Sequence, residues 1–514
     1  MQTFYRYTSF FALAMVAAGA PSCTADFSEI NTNPSAVTAN LVNVNNLLTR
    51  VQKEAIFDSY DAGYITEFAG YYSNPATATL SARDWADPFT EFYRTYLINI
   101  SEVIRLSRDK PESAGKNAVA RIMKAWIFHQ LTDLYGDVPY FEAALDVNQV
   151  INYPAYDRQE DIYKDLLKEL KEAEHQLSIL ENQVSFGPSD LIYQGSTDKW
   201  RRFANSLRLR LAVRARFAAP DLASEHIRDV IGKPLISANE FNAALTTEGE
   251  AAANTENRNP MYNSYLSNTV PKYATNTMAD NLILRNDPRL PVYLTAAPKP
   301  QNGKRWKGRP LALDLDQEDT DESYRQEELA SLGALFHAAG YQIKLLTAAE
   351  VSFLRAEAAL AGITTESAAE MLGKGIRQAM EMYHINPALT ENYLLSRTNA
   401  FNTFEPEQKL EEIIVQKWIA GYYQSREAWA EYRRTGYPVI WVGKAVGDTE
   451  GQIPRRLTYP SGEYLRNGKR AEESAARLEK GDVFMSRIWW DKRPGLPFRH
   501  PRQGMFPPEL ASME

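Results

Sequence analysis

Apolar side chains recur at helical spacing through most of the chain, and the densest run lies between Ala118 and Tyr135. Set at 100° steps, its apolar residues go nearly all the way round the wheel, which predicts a helix with neighbours on several sides. Gly136 can take the left-handed conformation that closes a helix, and Pro139 forbids its resumption. The stop is therefore sharp, and Tyr140 leaves it in a defined direction.

Further runs predict helical pieces over 47–57 and 65–68 and a strongly amphipathic helix over 88–106, with 117–135 packing back on the last of these. A helix over 157–180 follows, acidic at 157, 160, 161, 165, 169 and 172, and then one over 200–217 with Ser196 or Thr197 as its N-cap. That last helix carries Arg201, Arg202, Arg208, Arg210, Arg214 and Arg216, which are expected to face the acidic helix and cover apolar surface with their stems. Two antiparallel pairs come later, 347–361 with 368–384 and 406–423 with 426–435. Ala356, Ala358 and Ala359 would let such helices approach closely, as in degenerate tetratricopeptide-type repeats.

Two stretches break the pattern. After Tyr71-Tyr72-Ser73-Asn74-Pro75, the small residues of 76–82 cannot bury much and read as an exposed loop. Over 241–345 the periodicity gives way to Asn, Pro, Gly and Thr. Tyr262, Tyr265, Tyr273, Tyr293 and Trp306 are too many aromatics for disorder, so this is an ordered, loop-rich insertion with the acidic stretch 314–328 as its mobile tip. The tail from 441 is irregular, and Trp489-Trp490 is expected to pack the terminus down.

The beginning of the chain has a different character. Residues 1–22 look like a signal peptide, with Arg6, an apolar run over 10–20 that is too short to span a bilayer, and small residues before Cys23. Cys23 is the only cysteine in 514 residues, so no intramolecular disulfide can form, and its place after the leader makes it the expected lipidation site. Ala20 stands where such sites usually carry leucine. The expected organisation is leader 1–22, lipidated tether 23–40 and body 41–514, with the helical scaffold over 41–240 and 346–440, the insertion over 241–345 and the irregular segment over 441–514.

Hydrophobic content of 44% and charged content of 24% are ordinary for a globular body, and a net charge of -8 argues against an electrostatic nucleic-acid binder. No nucleophile elbow, HExxH, phosphate loop or dinucleotide fingerprint occurs, and none of the six histidines pairs with another at i, i+4, so no cofactor or metal is expected. His129 reads as a core residue. A glycosidase needs only two carboxylates, and Asp133 with Asp137 is the first pair to suspect. The structural alternative has Asp137 fixing the turn and Asp133 paired with a base such as Lys124 or Arg121.

A sugar ring presents an apolar C–H face and a rim of hydroxyls, so its binder combines aromatic platforms with amide, carboxylate or guanidinium groups. Tyr71, Tyr72, Asn74, Arg83 and Trp85 in the first loop, and Tyr262, Asn263, Tyr265 and Trp306 in the insertion, meet that description.

The run Leu134-Tyr135-Gly136-Asp137-Val138-Pro139-Tyr140, taken with 200–212 and Arg455 through Tyr464, resembles the SusD/RagB family of nutrient-binding outer-membrane lipoproteins. The resemblance covers nearly the whole chain and thins between about 243 and 345. It implies a mostly α, tetratricopeptide-like scaffold and a closing segment, with an Arg, a Tyr-Pro pair and a Glu, that lies against the core. It also implies an aromatic glycan patch formed by the loop before the first long helix and by the insertion, where Trp85 and Trp306 fall. Its partner would be a SusC-like, TonB-dependent outer-membrane barrel, on which the protein sits as a non-catalytic lid. A surface hydrolase on the same anchor is the rival, and a purely structural scaffold the third reading. Starch, fructan, host glycan and peptide all remain open as ligand.

Overall fold

A computed structural model describes residues 42–60, 62–74, 86–143, 151–180, 185–252, 254–266, 272–312, 324–442, 449 and 451–498. The leader, Cys23, the tether to residue 40, the loop 76–82, Arg83 and Trp85 lie outside the described residues. From Val44 onward the chain forms one compact unit.

Helices α1 (Val44–Tyr60) and α2 (Tyr64–Phe68) open the scaffold. The next run contains α3 (Ala86–Glu91), a π-helical segment over Phe92–Leu97 and α4 (Ile98–Ser107), where one uninterrupted helix over 88–106 was expected. Then comes the centrepiece, α5 (Ala114–Tyr135), in which every residue from Ala125 to Tyr135 is buried. Gly136 closes it at φ +87°, its N–H donating to Thr132 O at 2.7 Å, and a Cβ there would stand 3.0 Å from Ile488. The chain then passes through β2 (Val138–Pro139), which follows β1 (Tyr72–Ser73) in sequence and pairs antiparallel with β3 (Tyr156–Asp157). Asp137 accepts from the N–H of Gln159 and caps α6 (Gln159–Ser178).

Helix α6 packs on α5, α7 (Thr197–Ala215) on α6, and α8 (Pro220–Ile231) on α7. Ser196 caps α7 by accepting from Lys199 N–H. In the insertion, β4 (Ala243–Thr246), α9 (Pro260–Leu266), β5 (Tyr273–Ala274), α10 (Asn276–Leu284), α11 (Leu290–Tyr293), β6 (Leu294–Thr295), β7 (Ser331–Leu332) and β8 (Gln342–Leu346) follow in order. Strands β4 and β8 pair where the insertion leaves and rejoins the scaffold, and the other short strands form a sheet in the order β1-β5-β7-β6. Helices α12 (Ala348–Leu360), α13 (Ala368–Met382), α14 (Pro387–Thr403), α15 (Pro406–Ala420) and α16 (Ser425–Thr435) complete the scaffold, with α17 (Ser461–Arg466) and α18 (Gly468–Ala475) in the tail. The architecture is thus mostly helical, as expected, around a large continuous apolar core.

Three expectations need correction. Of the six arginines on α7 and at its C-terminal cap, only Arg201 pairs with the acidic helix, through Glu174 at 3.0 Å. Arg202 bonds Asp198 on its own helix and Arg208 pairs with Asp229 on α8. Arg210 reaches Glu350, Arg214 reaches Asp133, Glu427 and Glu431, and Arg216 reaches Glu357. The helix is buried on several faces, so its guanidiniums must find acids wherever they point. Asp133 likewise has Arg214 as its base, at 2.7 Å, and takes further hydrogen bonds from Tyr163 and Trp490, whereas Arg121 pairs with Glu169 and Glu172.

The acidic stretch also ends differently from a mobile tip. Its residues 314–323 lie outside the described ones, but Gln326–Glu328 forms a 3₁₀ turn, Glu328 is buried, and Lys299 N–H donates to Glu327 O at 2.7 Å. The closing segment does lie on the core: Leu457 N–H donates to Leu134 O, Arg456 to Tyr135 O, and Tyr459 hydroxyl to Asp137 O. Glu463 accepts from Tyr156, and Trp490 is fully buried beside Asp133.

Candidate functional site

Backbone pairing brings the two expected loops together at their bases. Tyr72 and Ser73 of β1 lie opposite Ala274 and Tyr273 of β5, so the first loop leaves the body alongside the insertion. A second strip of the insertion closes on the same place. Arg309 forms a parallel bridge with Thr275, its N–H donating to Ala274 O at 2.8 Å, and Ala330 N–H donates to Lys307 O at 2.8 Å. The fully buried Arg309 guanidinium donates to Ser73 Oγ at 2.8 Å and to Asn74 O at 3.5 Å. Ser73 Oγ in turn donates to Pro310 O. Trp306 is therefore tied, three residues from this clamp, to the point where the first loop departs.

Trp306 is half-buried, partly packed against the core, with the Arg305 guanidinium 5.8 Å from its ring centroid. That leaves an aromatic surface flanked by a cation, which suits stacking on a sugar face. Helix α9 carries the other two candidate rings, whose contacts are with other parts of the insertion. Tyr262 is half-buried, 5.9 Å from the Arg258 guanidinium, and desolvation together with Glu250 holds its phenol above the usual range. Tyr265 stacks on His337 with centroids 3.8 Å apart and planes 8° from parallel, and burial lowers the His337 pKa, favouring the neutral imidazole. Asn263 is exposed, its amide 3.4 Å from Thr255 O. Lys272 links α9 to the sheet, its amine 3.2 Å from Met261 Sδ and 5.7 Å from the Tyr72 ring centroid.

Two of the expected residues are framework instead. Tyr71 has no exposed surface: it stacks on Trp418 at 5.2 Å, and its hydroxyl donates to Trp418 O and Gly421 O. Tyr72 is buried beneath Lys272, with its hydroxyl 3.3 Å from Gly63 O. A tyrosine pair in a polar stretch reads as a platform, yet both rings are used to seal the sheet onto the scaffold. Asn74 stays half-exposed at the loop's departure, and Arg83 and Trp85 lie beyond the described residues.

The residues that sequence reasoning missed are the positioning ones. Arg309 and Ser73 hold the loop bases. Gly308 lets the Trp306 strip pass so close to α10 that a Cβ would stand 2.3 Å from Thr275 O. The Gly308-Arg309-Pro310 run was their only trace in the sequence.

The carboxylates first suspected of catalysis are both engaged. Asp133 is buried among Arg214, Tyr163 and Trp490, and Asp137 holds Gln159 N–H and Arg477. Among the described residues no group of three or more His, Cys, Asp or Glu is placed to hold a metal ion. His129 is buried, and desolvation and Arg210 lower it to about 3, leaving it neutral. The site is thus equipped for stacking and hydrogen bonding.

A family described as starch-binding and associating with the outer membrane matches residues 27–460. Solved structures are similar over most of the chain. A chitin-binding protein is 26% identical with a TM-score of 0.77, covering 88% of this chain and 100% of that one. A SusD homolog from Bacteroides uniformis is 24% identical with a TM-score of 0.74, covering 88% and 100%. A chitin-binding SusD homolog from Flavobacterium johnsoniae is 23% identical with a TM-score of 0.73, covering 87% and 97%. Among curated proteins none matches the chain.

Proposed function

The chain belongs to the SusD-like family, and from that premise we propose that it is a non-catalytic, cell-surface lipoprotein that captures an oligosaccharide or peptide for a TonB-dependent outer-membrane transporter. The observation that carries the reading is the clamp at Ser73, Arg309 and Pro310, which joins the base of the first loop to the strip bearing Trp306. The clamp thus joins, at their bases, two segments from distant parts of the sequence, each of which carries a candidate tryptophan. In this reading Trp306, Tyr262, Tyr265 and Trp85 are the stacking elements of the ligand site, and Asn74, Asn263 and Arg83 its polar contacts. Lipid on Cys23 would hold the protein at the outer membrane while the tether leaves it slack to swing. The chitin-binding relatives make N-acetylglucosamine oligomers the first ligands to offer.

Calorimetry with oligomers of N-acetylglucosamine, glucose and fructose, and with mixed peptides, tests the proposal. One class should bind, and Trp306→Ala and Trp85→Ala should each weaken it about tenfold or more, the scale of one lost stacking contact. Affinity that survives both changes would remove both tryptophans from the site. New reducing ends or cleaved peptide bonds at useful turnover would replace capture with hydrolysis. Mass spectrometry of the mature amino terminus should find Cys23 acylated.

A further inference from the structure

A second hollow lies away from the loop rim, between α4, α5, α6 and the start of the hairpin at Tyr140. It is a groove of about 430 Å³. Five charged side chains line it, the cations Arg108, Arg121 and Lys124 and the anions Asp165 and Glu169. Arg121 is committed to Glu169, at 2.8 and 3.0 Å. Lys124 and Arg108 are not: among the described residues no acceptor lies within hydrogen-bonding or ion-pairing distance of either. Lys124 is nevertheless half-buried, and desolvation lowers its pKa against the pull of Glu169 and Asp165. Among the described residues its ammonium has only the Phe128 ring, 5.7 Å away at the centroid, and no carboxylate in salt-bridge reach, so an anionic ligand would supply the charged partner.

The rest of the groove has the character of a sugar site. Phe141 is 46% exposed at its wall, an unusual position for a large apolar ring, held edge-to-face against Tyr140 at 4.9 Å. The Tyr140 hydroxyl donates to Asp165 Oδ2 at 2.7 Å, which fixes the carboxylate and leaves Oδ1 to accept from a hydroxyl. Asp157 holds the backbone beneath, accepting from Tyr140 N–H and Phe141 N–H at 2.9 Å each. An aromatic face, an oriented acceptor and two uncommitted cations fit a pyranose that carries a carboxylate. An acidic peptide would leave the ring and the acceptor unused.

We propose that this groove is a second ligand site for a hexuronic acid unit, with Lys124 and Arg108 taking the carboxylate, Phe141 stacking on the C–H face and Asp165 accepting a ring hydroxyl. The site shares no residue with the rim around Trp306 and stands whether or not that rim binds sugar.

The test is calorimetry of the full chain with trigalacturonate and triglucuronate, with their carboxyl-reduced neutral counterparts, and with triglutamate. At least one acidic trisaccharide should bind, its neutral counterpart at least tenfold more weakly, and added salt should weaken the acidic one. Lys124→Gln and Phe141→Ala should each lower affinity tenfold or more while Trp306→Ala leaves it unchanged. Phe141 is exposed, so its variant reads out even if Lys124→Gln folds poorly. The proposal is overturned if neither acidic sugar binds, if triglutamate binds as well as the sugars, if Phe141→Ala binds like wild type, or if Trp306→Ala abolishes the acidic sugar's binding.

Discussion

At the scale of single residues, the molecule shows what a buried carboxyl does with and without partners. Asp133 meets Arg214, Tyr163 and Trp490. Asp280 on α10 has no such company: its Oδ1 is buried with no hydrogen-bond partner among the described residues, and desolvation raises its pKa to about 8. The unfolded chain would titrate near the ordinary value of 3.8. Between about 4 and 8 the folded state therefore binds the extra proton, so the contribution of this group to stability is complete below pH 4 and is lost as pH rises through 8. Asp280→Asn keeps the shape and removes the charge. Its melting temperature relative to wild type should climb from pH 4 to pH 8 and level off above; a difference that stays flat with pH would mean that Asp280 ionises freely. The sequence suggests a basic partner for Asp133 but not which one, and Asp280 attracts no notice there, because partners come from the fold and not from neighbours in the chain.

At the scale of elements, legibility follows length and periodicity. Helix α5 could be read because its apolar run is long and ends in Gly136 and Pro139, α12 because its small and apolar residues run on after the Thr347 cap, and α13 because its stripe is regular. Helix α14 escaped because only Thr390, Tyr393 and Phe401 of its 17 residues are buried, which leaves no stripe. The π segment within 86–107 escaped because one altered turn barely disturbs the apolar spacing. Strands of two residues have no alternation to show, so the sheet that joins the candidate loops was hidden even though the aromatics it positions were not. Gly308 is where that sheet depends on a single side chain. A Cβ there would stand 2.3 Å from Thr275 O and 2.5 Å from Asn276 N, both backbone atoms that cannot swing aside. Gly308→Ala should therefore lift the strip 305–309 off α10, destabilise the protein by about 1–3 kcal/mol and weaken ligand binding as much as Trp306→Ala does. Urea unfolding and calorimetry would check both, and wild-type affinity in the alanine variant would show that the strip's position does not matter to the site.

At the scale of the whole molecule, the two halves of the scaffold are separated in sequence by the insertion, yet they are joined by charge as well as by apolar contact. Arg214 on α7 binds Asp133 on α5 at 2.7 Å and Glu427 and Glu431 on α16 at 2.6 and 3.2 Å. Lys417 on α15 approaches the same two glutamates at 3.0 and 3.1 Å, and Arg210 on α7 reaches Glu350 on α12 at 2.7 Å. Burial alone would raise the Glu427 carboxyl, but Arg214, Lys417 and Arg210 hold it well below the usual range. Such a network is poor evidence of net stabilisation, since an apolar core of the same volume can do as well; removing one member is another matter, because the charges left behind stay buried. Arg214→Met leaves the buried Asp133 without its ion pair and takes one cation from Glu427 and Glu431, which keep Lys417, and should cost about 3–5 kcal/mol. Arg201→Met should cost less, because Arg201 is partly exposed and the buried Glu174 keeps Lys233 at 3.5 Å. Because one continuous apolar core also joins the halves, the Arg214→Met chain should still unfold in one transition at a lower urea midpoint. Two separated transitions in that variant, with one in the wild type, would instead mean that this charge cluster is what makes the halves unfold together and that the apolar contacts alone do not suffice.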